Sequence, residues 1–310
     1  MKILERIYKV SGKFLVCSAI LPSKFYIKNM GGVRMPSPTK EWARVITSFT
    51  ELPESFRMSI PADSLIPYMV YSPEDNWGQR KTNEKMTVLY PACITVYEKA
   101  KAGIKQQEFF FGNLQYVEQG SILLYSWLTF SGFKDPKNAA ATVEYNTVVQ
   151  ELFHPFVEAI RQSFYSLERG QGNLDWGSLD FLRSQDYKYW NYSKEAILPG
   201  SNIQKVIYQQ QVQEQKWFFM ERIITLPHIL LQTEGELIII RDKHVKGKKL
   251  RNEARYGAER IYIPLRSVKC IKIIPVLEKE MFQLALELEN YSFTLLYSKD
   301  KEGTLKDFFN

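Results

Sequence analysis

Apolar and polar positions alternate along much of the chain with a period of two, the pattern of strands buried on one face. In the first half the alternation marks residues 56–60; residues 68–71 are a second short strand candidate, and 87–97, 108–117 and 121–130 are stronger ones, rich in aromatic and aliphatic residues. Pro91 interrupts the third of these. Proline cannot donate to a ladder, so that strand is expected to break in two or lie at an edge. The period then lengthens. Tyr145, Val148, Val149, Leu152, Phe153, Phe156, Val157, Ile160 and Phe164 recur at three-and-four spacing, which predicts one long amphipathic helix over residues 136–164. Asp135 would cap it and Pro136 suits its first position. Pro155 predicts a kink or break near His154. A short helix is expected over 39–49. Residues 14–21 are read as a strand or short helix and not a cleaved leader, because the small residues at Cys17, Ser18 and Ala19 fall inside the apolar run.

The second half follows a similar plan. Residues 170–177 form a Gly-rich loop, the natural domain boundary, and residues 179–197 carry a weaker helical face that Pro199 and Gly200 end. Strands are predicted at 202–213, 217–225, 228–232, 236–241, 259–265, 268–276, 282–289 and 291–297, with a short helix at 304–309 capped by Thr304. A faint internal repeat runs through this order. Ile94-Thr95-Val96-Tyr97-Glu98-Lys99 is similar to Ile238-Ile239-Ile240-Arg241-Asp242-Lys243, and Phe109-Phe110-Phe111-Gly112-Asn113-Leu114 is similar to Ile261-Tyr262-Ile263-Pro264-Leu265-Arg266. Two copies suit a tandem pair of small domains. The organisation expected is an N-terminal segment (1–50), a first domain (51–169), a linker with a helix (170–200) and a second domain (201–310).

Composition narrows the class. The 310 residues are 45% hydrophobic and 14% aromatic, which suits a soluble, strand-rich chain, and no run reaches a bilayer-spanning length. Three separated cysteines, Cys17, Cys93 and Cys270, imply no disulfide framework and point to reduced, small core residues in a cytoplasmic protein. His154, His228 and His244 belong to no metal-ligand motif, and no phosphate loop or nucleophile elbow is present. No catalytic residue, metal or cofactor is therefore assigned. Trp176, Tyr187, Tyr189, Trp190 and Tyr192 cluster between the two halves and are expected to pack them together.

The stretch Tyr262-Ile263-Pro264-Leu265-Arg266-Ser267-Val268, following a strand that ends in an acid-plus-base turn, resembles the bacterial pleckstrin-homology-like domains, as does Ala141-Thr142-Val143-Glu144-Tyr145-Asn146 leading into a helix. The resemblance covers roughly residues 50–310. It implies an α+β fold of two small bent antiparallel sheets or barrels, the first closed by the long helix at its C-terminal end.

One charge feature stands above the net charge of +7. Arg241, Lys243, Lys246, Lys248, Lys249 and Arg251 crowd the connection between two strands, and Lys246, Lys249 and Arg251 resemble the basic pattern with which some pleckstrin-homology domains hold phosphoinositide headgroups. These six residues are the candidate site for an anionic surface. The function expected is non-catalytic binding, of a protein partner or of anionic lipid at the inner membrane face. The alternative is an enzyme with an interdomain site that the sequence does not disclose. Nucleic acid is not an expected partner, since one basic loop is a small footprint.

Overall fold

The computed structural model describes residues 4–10, 13–19, 42–60, 67–77, 80–134, 137–165, 176–215, 221–242, 257–276 and 280–309. The chain divides into two compact units, Met1–Ser37 and Pro38–Asn310. The described part of the first is a hairpin of β1 (Leu4–Val10) and β2 (Lys13–Ala19), so residues 14–21 fall largely in a strand.

The second unit is mixed α+β, with antiparallel sheets and few helices. β3 (Arg44–Ile46), β4 (Tyr68–Ser72), β7 (Lys85–Leu89), β8 (Cys93–Ala100) and β9 (Gly103–Phe110) make a five-stranded sheet in the order β3-β4-β7-β8-β9. Between β4 and β7 a small hairpin is inserted, β5 (Asp75–Trp77) with β6 (Arg80–Thr82). A 3-10 turn, Phe111–Asn113, then leads to the meander β10 (Leu114–Ile122), β11 (Tyr125–Lys134) and β12 (Lys137–Asn146). A second 3-10 segment, Thr147–Phe153, and α2 (His154–Gln162) follow; α1 is the single turn Glu54–Arg57 near the start.

After α3 (Asp180–Gln185) and α4 (Tyr187–Ala196) this order recurs. β13 (Lys205–Gln209) precedes an inserted hairpin of β14 (Val212–Gln215) and β15 (Glu221–Thr225). Then come β16 (His228–Gln232), β17 (Glu236–Arg241), β18 (Gly257–Pro264), a 3-10 turn at Leu265–Ser267, the meander β19 (Cys270–Val276), β20 (Met281–Glu287) and β21 (Ser292–Ser298), and α5 (Glu302–Phe309). The aligned segments begin on corresponding strands, at Ile94 of β8 and Ile238 of β17 and at Phe109 of β9 and Ile261 of β18. The two halves of the second unit thus share an order of four strands, a meander and a helix.

The two copies do not stay apart. The meander of the first pairs edge to edge with the four-stranded sheet of the second, giving one seven-stranded sheet in the order β12-β11-β10-β18-β17-β16-β13. The seam runs between β10 and β18, with Val117 opposite Tyr262 and Ile122 opposite Gly257. Among the described residues the sheets are open, with no closed barrel. Residues 170–175 of the expected boundary loop lie outside the described residues.

Three apolar cores explain the patterning. Ile229, Leu231, Ile238, Ile240 and Tyr262 face one side of the large sheet, under Phe156, Ile160, Leu179, Leu182 and Tyr189 of the helical segments. Leu230, Leu237, Ile239, Ile261 and Ile263 face the other, against Leu284, Leu295, Leu305 and Phe308. A strand buried on both faces reads as a continuous apolar run, and β17 carries Leu-Ile-Ile-Ile. The helices α2 to α4 thus cover a sheet built from both copies. The third core lies on the outer face of the five-stranded sheet, with Met69, Met86 and Val88 against Ile46, Leu52, Phe56 and Ile60.

Three expectations need correction. The long helix over 136–164, and with it the long helical closure of the first domain, is replaced by β12, the 3-10 segment and the short α2. Ala141, Val143 and Tyr145 are buried at period two, so Tyr145 belongs to the strand and the helical stripe begins only at Phe153. The Asp135 cap lies outside the described residues, while Asn146 accepts from the Val148 amide at 3.0 Å instead. The break expected at His154 is there, with Pro155 in the first turn of α2. Residues 56–60 are a helical turn and its exit and not a strand, because Phe56 and Ile60 bury together four apart while Met58 is 97% exposed. The expected helix at 39–49 is the strand β3, followed by a 3-10 turn at Phe49–Glu51.

Two glycines permit the close approach of strands in the large sheet. A Cβ on Gly120 would lie 1.9 Å from the Trp127 ring, and one on Gly257 would lie 2.0 Å from the Ser121 carbonyl oxygen. The second obstacle is backbone and cannot swing away. Gly257→Ala is expected to cost at least about 2 kcal/mol, seen as a lower thermal midpoint; an unchanged midpoint would show that the seam has slack.

Candidate functional site

The polar groups buried in this fold fall into a few networks. In the largest, Arg161 of α2 places its guanidinium on Glu236 at the start of β17, with contacts of 2.6 and 3.1 Å, and donates to the Ala196 carbonyl at 2.6 Å. Both side chains are buried. The Tyr262 ring lies 3.9 Å from the guanidinium carbon, and Tyr165 donates to Glu236 at 2.8 Å. Burial alone would lower the Arg161 pKa; the Glu236 carboxylate and its neighbours offset this and leave it raised. The network fastens α2 and the end of α4 to the large sheet. Every group is spent on another, so the arrangement is structural.

A second network lies under α4. Asp186 caps the helix by accepting from the Tyr189 amide at 3.2 Å and also accepts from the Tyr208 hydroxyl at 2.6 Å. The Tyr189 hydroxyl lies against the Pro227 carbonyl and the Asp242 carboxylate, and Lys188 meets Asp242 at 2.6 Å. Burial first, then Asp242, pushes the Tyr189 pKa well up. The aromatic cluster is thereby placed. Tyr189 is fully buried, Trp176, Trp190 and Tyr192 are half-buried, and Tyr187 is exposed but stacked on Trp190.

A third pair, Lys85 with Glu144 at 2.6 Å, ties β7 to β12 beside an open cavity of about 270 Å³. Its other lining groups are engaged: Asn83 donates to Glu98 at 2.8 Å, Thr142 bonds Thr129 at 2.9 Å, and Lys81 meets Glu74 at 3.3 Å. Among the described residues no group of three or more His, Cys, Asp or Glu could hold a metal ion. His154 is exposed and His228 is buried, whereas His244 lies outside the described residues. Cys93 and Cys270 are free thiols, half-buried at strand starts and not core residues; burial raises the Cys93 pKa.

Of the six candidate cations, Arg241 is described. It ends β17 and donates to Glu259 at 2.9 Å across the ladder. Lys243, Lys246, Lys248, Lys249 and Arg251 lie outside the described residues. Their attachment points do not. The connection leaves the sheet at Asp242 and re-enters it at Gly257, and the acids at its roots, Asp242 and Glu259, are already engaged by Lys188 and Arg241.

The same end of the sheet carries a feature that the strand pattern passed over. β10 and β11 are joined by a two-residue turn, Leu123 and Leu124, next to the point where Ile122 pairs with Gly257. Leu123 is 52% exposed, Leu124 58% and the neighbouring Val148 59%. Leu123 has φ +53°, a left-handed conformation that Gly, Asn or Asp ordinarily supply in such a turn. The Thr147 hydroxyl donates to its carbonyl at 2.8 Å and the Thr147 amide to that of Leu124 at 2.9 Å, which holds the turn. The expected strand at 121–130 ran straight through it; the signal available was a doublet of leucines where turn residues belong.

No family model matches the chain, and no curated protein matches it. No helix among the described residues is long and apolar enough to cross a membrane.

Proposed function

We propose that the chain is a non-catalytic binding protein, built from two pleckstrin-homology-like repeats, that docks on an anionic membrane surface such as the inner face of the cytoplasmic membrane. The duplicated order of four strands, meander and helix supports the family reading. One observation carries the binding reading. The connection from residue 243 to 256 holds six Lys or Arg against the single acid Glu253, a local excess of positive charge suited to an anionic partner. Each cation near an anionic bilayer contributes about 1 kcal/mol, so even half of these give useful partition.

Co-sedimentation with phosphatidylcholine–phosphatidylserine vesicles tests this. Wild type is expected to pellet with the mixed vesicles and not with phosphatidylcholine alone. Changing Lys248, Lys249 and Arg251 together to Glu is expected to cut partition by roughly a hundredfold or more. Equal pelleting of the two proteins would overturn the proposal.

A further inference from the structure

We infer that the cavity between β7 and β12 binds a small zwitterion, a molecule such as a free amino acid with one cationic and one anionic group. The site belongs to the first half of the unit and does not depend on docking to a membrane.

Its walls carry balanced charge. Lys85 and Glu144 meet at 2.6 Å with side chains 8% and 4% exposed, and both line an open space of about 270 Å³. Lys81, exposed, and Glu98, half-buried, complete the charged lining, so two cations stand with two carboxylates. A ligand with net charge of either sign leaves part of this lining uncompensated, whereas a zwitterion meets both signs. Lys81 is paired with Glu74, and Asn83 with Glu98, but these contacts are open to solvent and contribute little, so a ligand can displace them. The space is just under the roughly 300 Å³ at which sites for drug-sized ligands begin, which limits the occupant to a small metabolite.

The second half shows that the fold does not need charge at this corner. β7 and β16 each run five residues, and Lys85, opposite Glu98, corresponds to His228, opposite Arg241. His228 packs edge-on against Tyr297, with 4.8 Å between ring centroids. Glu144, two residues before the end of β12, corresponds to Leu296 of β21. Lys81 and Asn83 flank Thr82 at the end of β6, as Ile224 and Leu226 flank Thr225 at the end of β15. One corner is therefore built from ionic and amide side chains and its counterpart from aliphatic and aromatic ones. A buried ion pair can be exchanged for apolar residues at little cost in stability. Departures from apolar packing that the fold does not require gather at functional sites.

Isothermal titration calorimetry of the full chain against the free L-amino acids tests the assignment. At least one is expected to bind saturably. Acetate and methylammonium, each carrying half of the charge pair, are expected to bind roughly tenfold or more weakly than it does. Lys85→Met/Glu144→Leu installs an apolar pair, so the thermal midpoint is expected to hold while affinity falls roughly tenfold or more. Glu98→Gln leaves the buried pair intact and is expected to weaken binding roughly threefold; it serves as the test if the double variant does not fold. A panel in which no amino acid binds overturns the proposal, as do variants that bind like wild type. Binding of acetate or methylammonium as tight as that of any amino acid would show that the site does not select a zwitterion.

Discussion

Replacing Arg161 by Met is expected to destabilise the protein by about 3–5 kcal/mol, because it leaves the Glu236 carboxylate buried without its cation. The reason is desolvation and not simply a lost attraction. Glu236 has no exposed side-chain surface, and the hydroxyl of Tyr165 remains as a partner that cannot neutralise it. The Ala196 carbonyl loses a donor as well. Chemical denaturation of Arg161→Met, Glu236→Leu and the double variant makes the test. The double variant should recover much of the loss, since an apolar pair of similar volume can replace a buried ion pair at little cost. Additive losses would show that the two side chains act separately.

Acid should weaken the fold through His228. This imidazole is 3% exposed, faces the Leu226 carbonyl through Nδ1 at 3.0 Å and packs edge-on against the buried Tyr297 ring, while Nε2 has no hydrogen-bond partner. Burial, with a smaller push from Arg241, lowers its pKa from 6.5 to about 4. The unfolded chain takes up this proton as pH falls through about 6.5, whereas the folded chain resists until near its own lower value. Stability is therefore greatest above the unfolded pKa and declines as pH drops toward the folded one, by roughly 3 kcal/mol for this group. Denaturation midpoints between these limits should fall less steeply in His228→Gln than in wild type. Parallel profiles would mean that His228 takes up its proton as readily in the folded protein as in the unfolded chain.

Much of the strand order was legible because burial on one or both faces writes itself into the sequence. The predictions at 228–232 and 236–241 coincide with β16 and β17, where apolar runs are cut by the turn at Glu234 and Gly235. Failure came where two periods share residues. Phe56 and Ile60 satisfy both alternation and a helical turn, and Tyr145 closes a strand pattern while opening a helical one. The edge pairing of β10 with β18 leaves no periodic trace, since a strand reads the same whichever neighbour it bonds to. The candidate cations could be found by counting charge. The exposed turn at Leu123 and Leu124 could not be found so, because it depended on the strand register and on leucines that carry no turn signal.

The β10–β18 seam also bears on how the chain is made. During synthesis β10 can pair with β11 at once, but its other edge has no partner until residues 257–264 are complete. Through most of translation the first copy must carry an open strand edge, the kind of surface that recruits the wrong neighbour. The late arrival of β18 therefore governs when this particular edge stops being available to a wrong neighbour, and a chain truncated before it would keep that edge permanently.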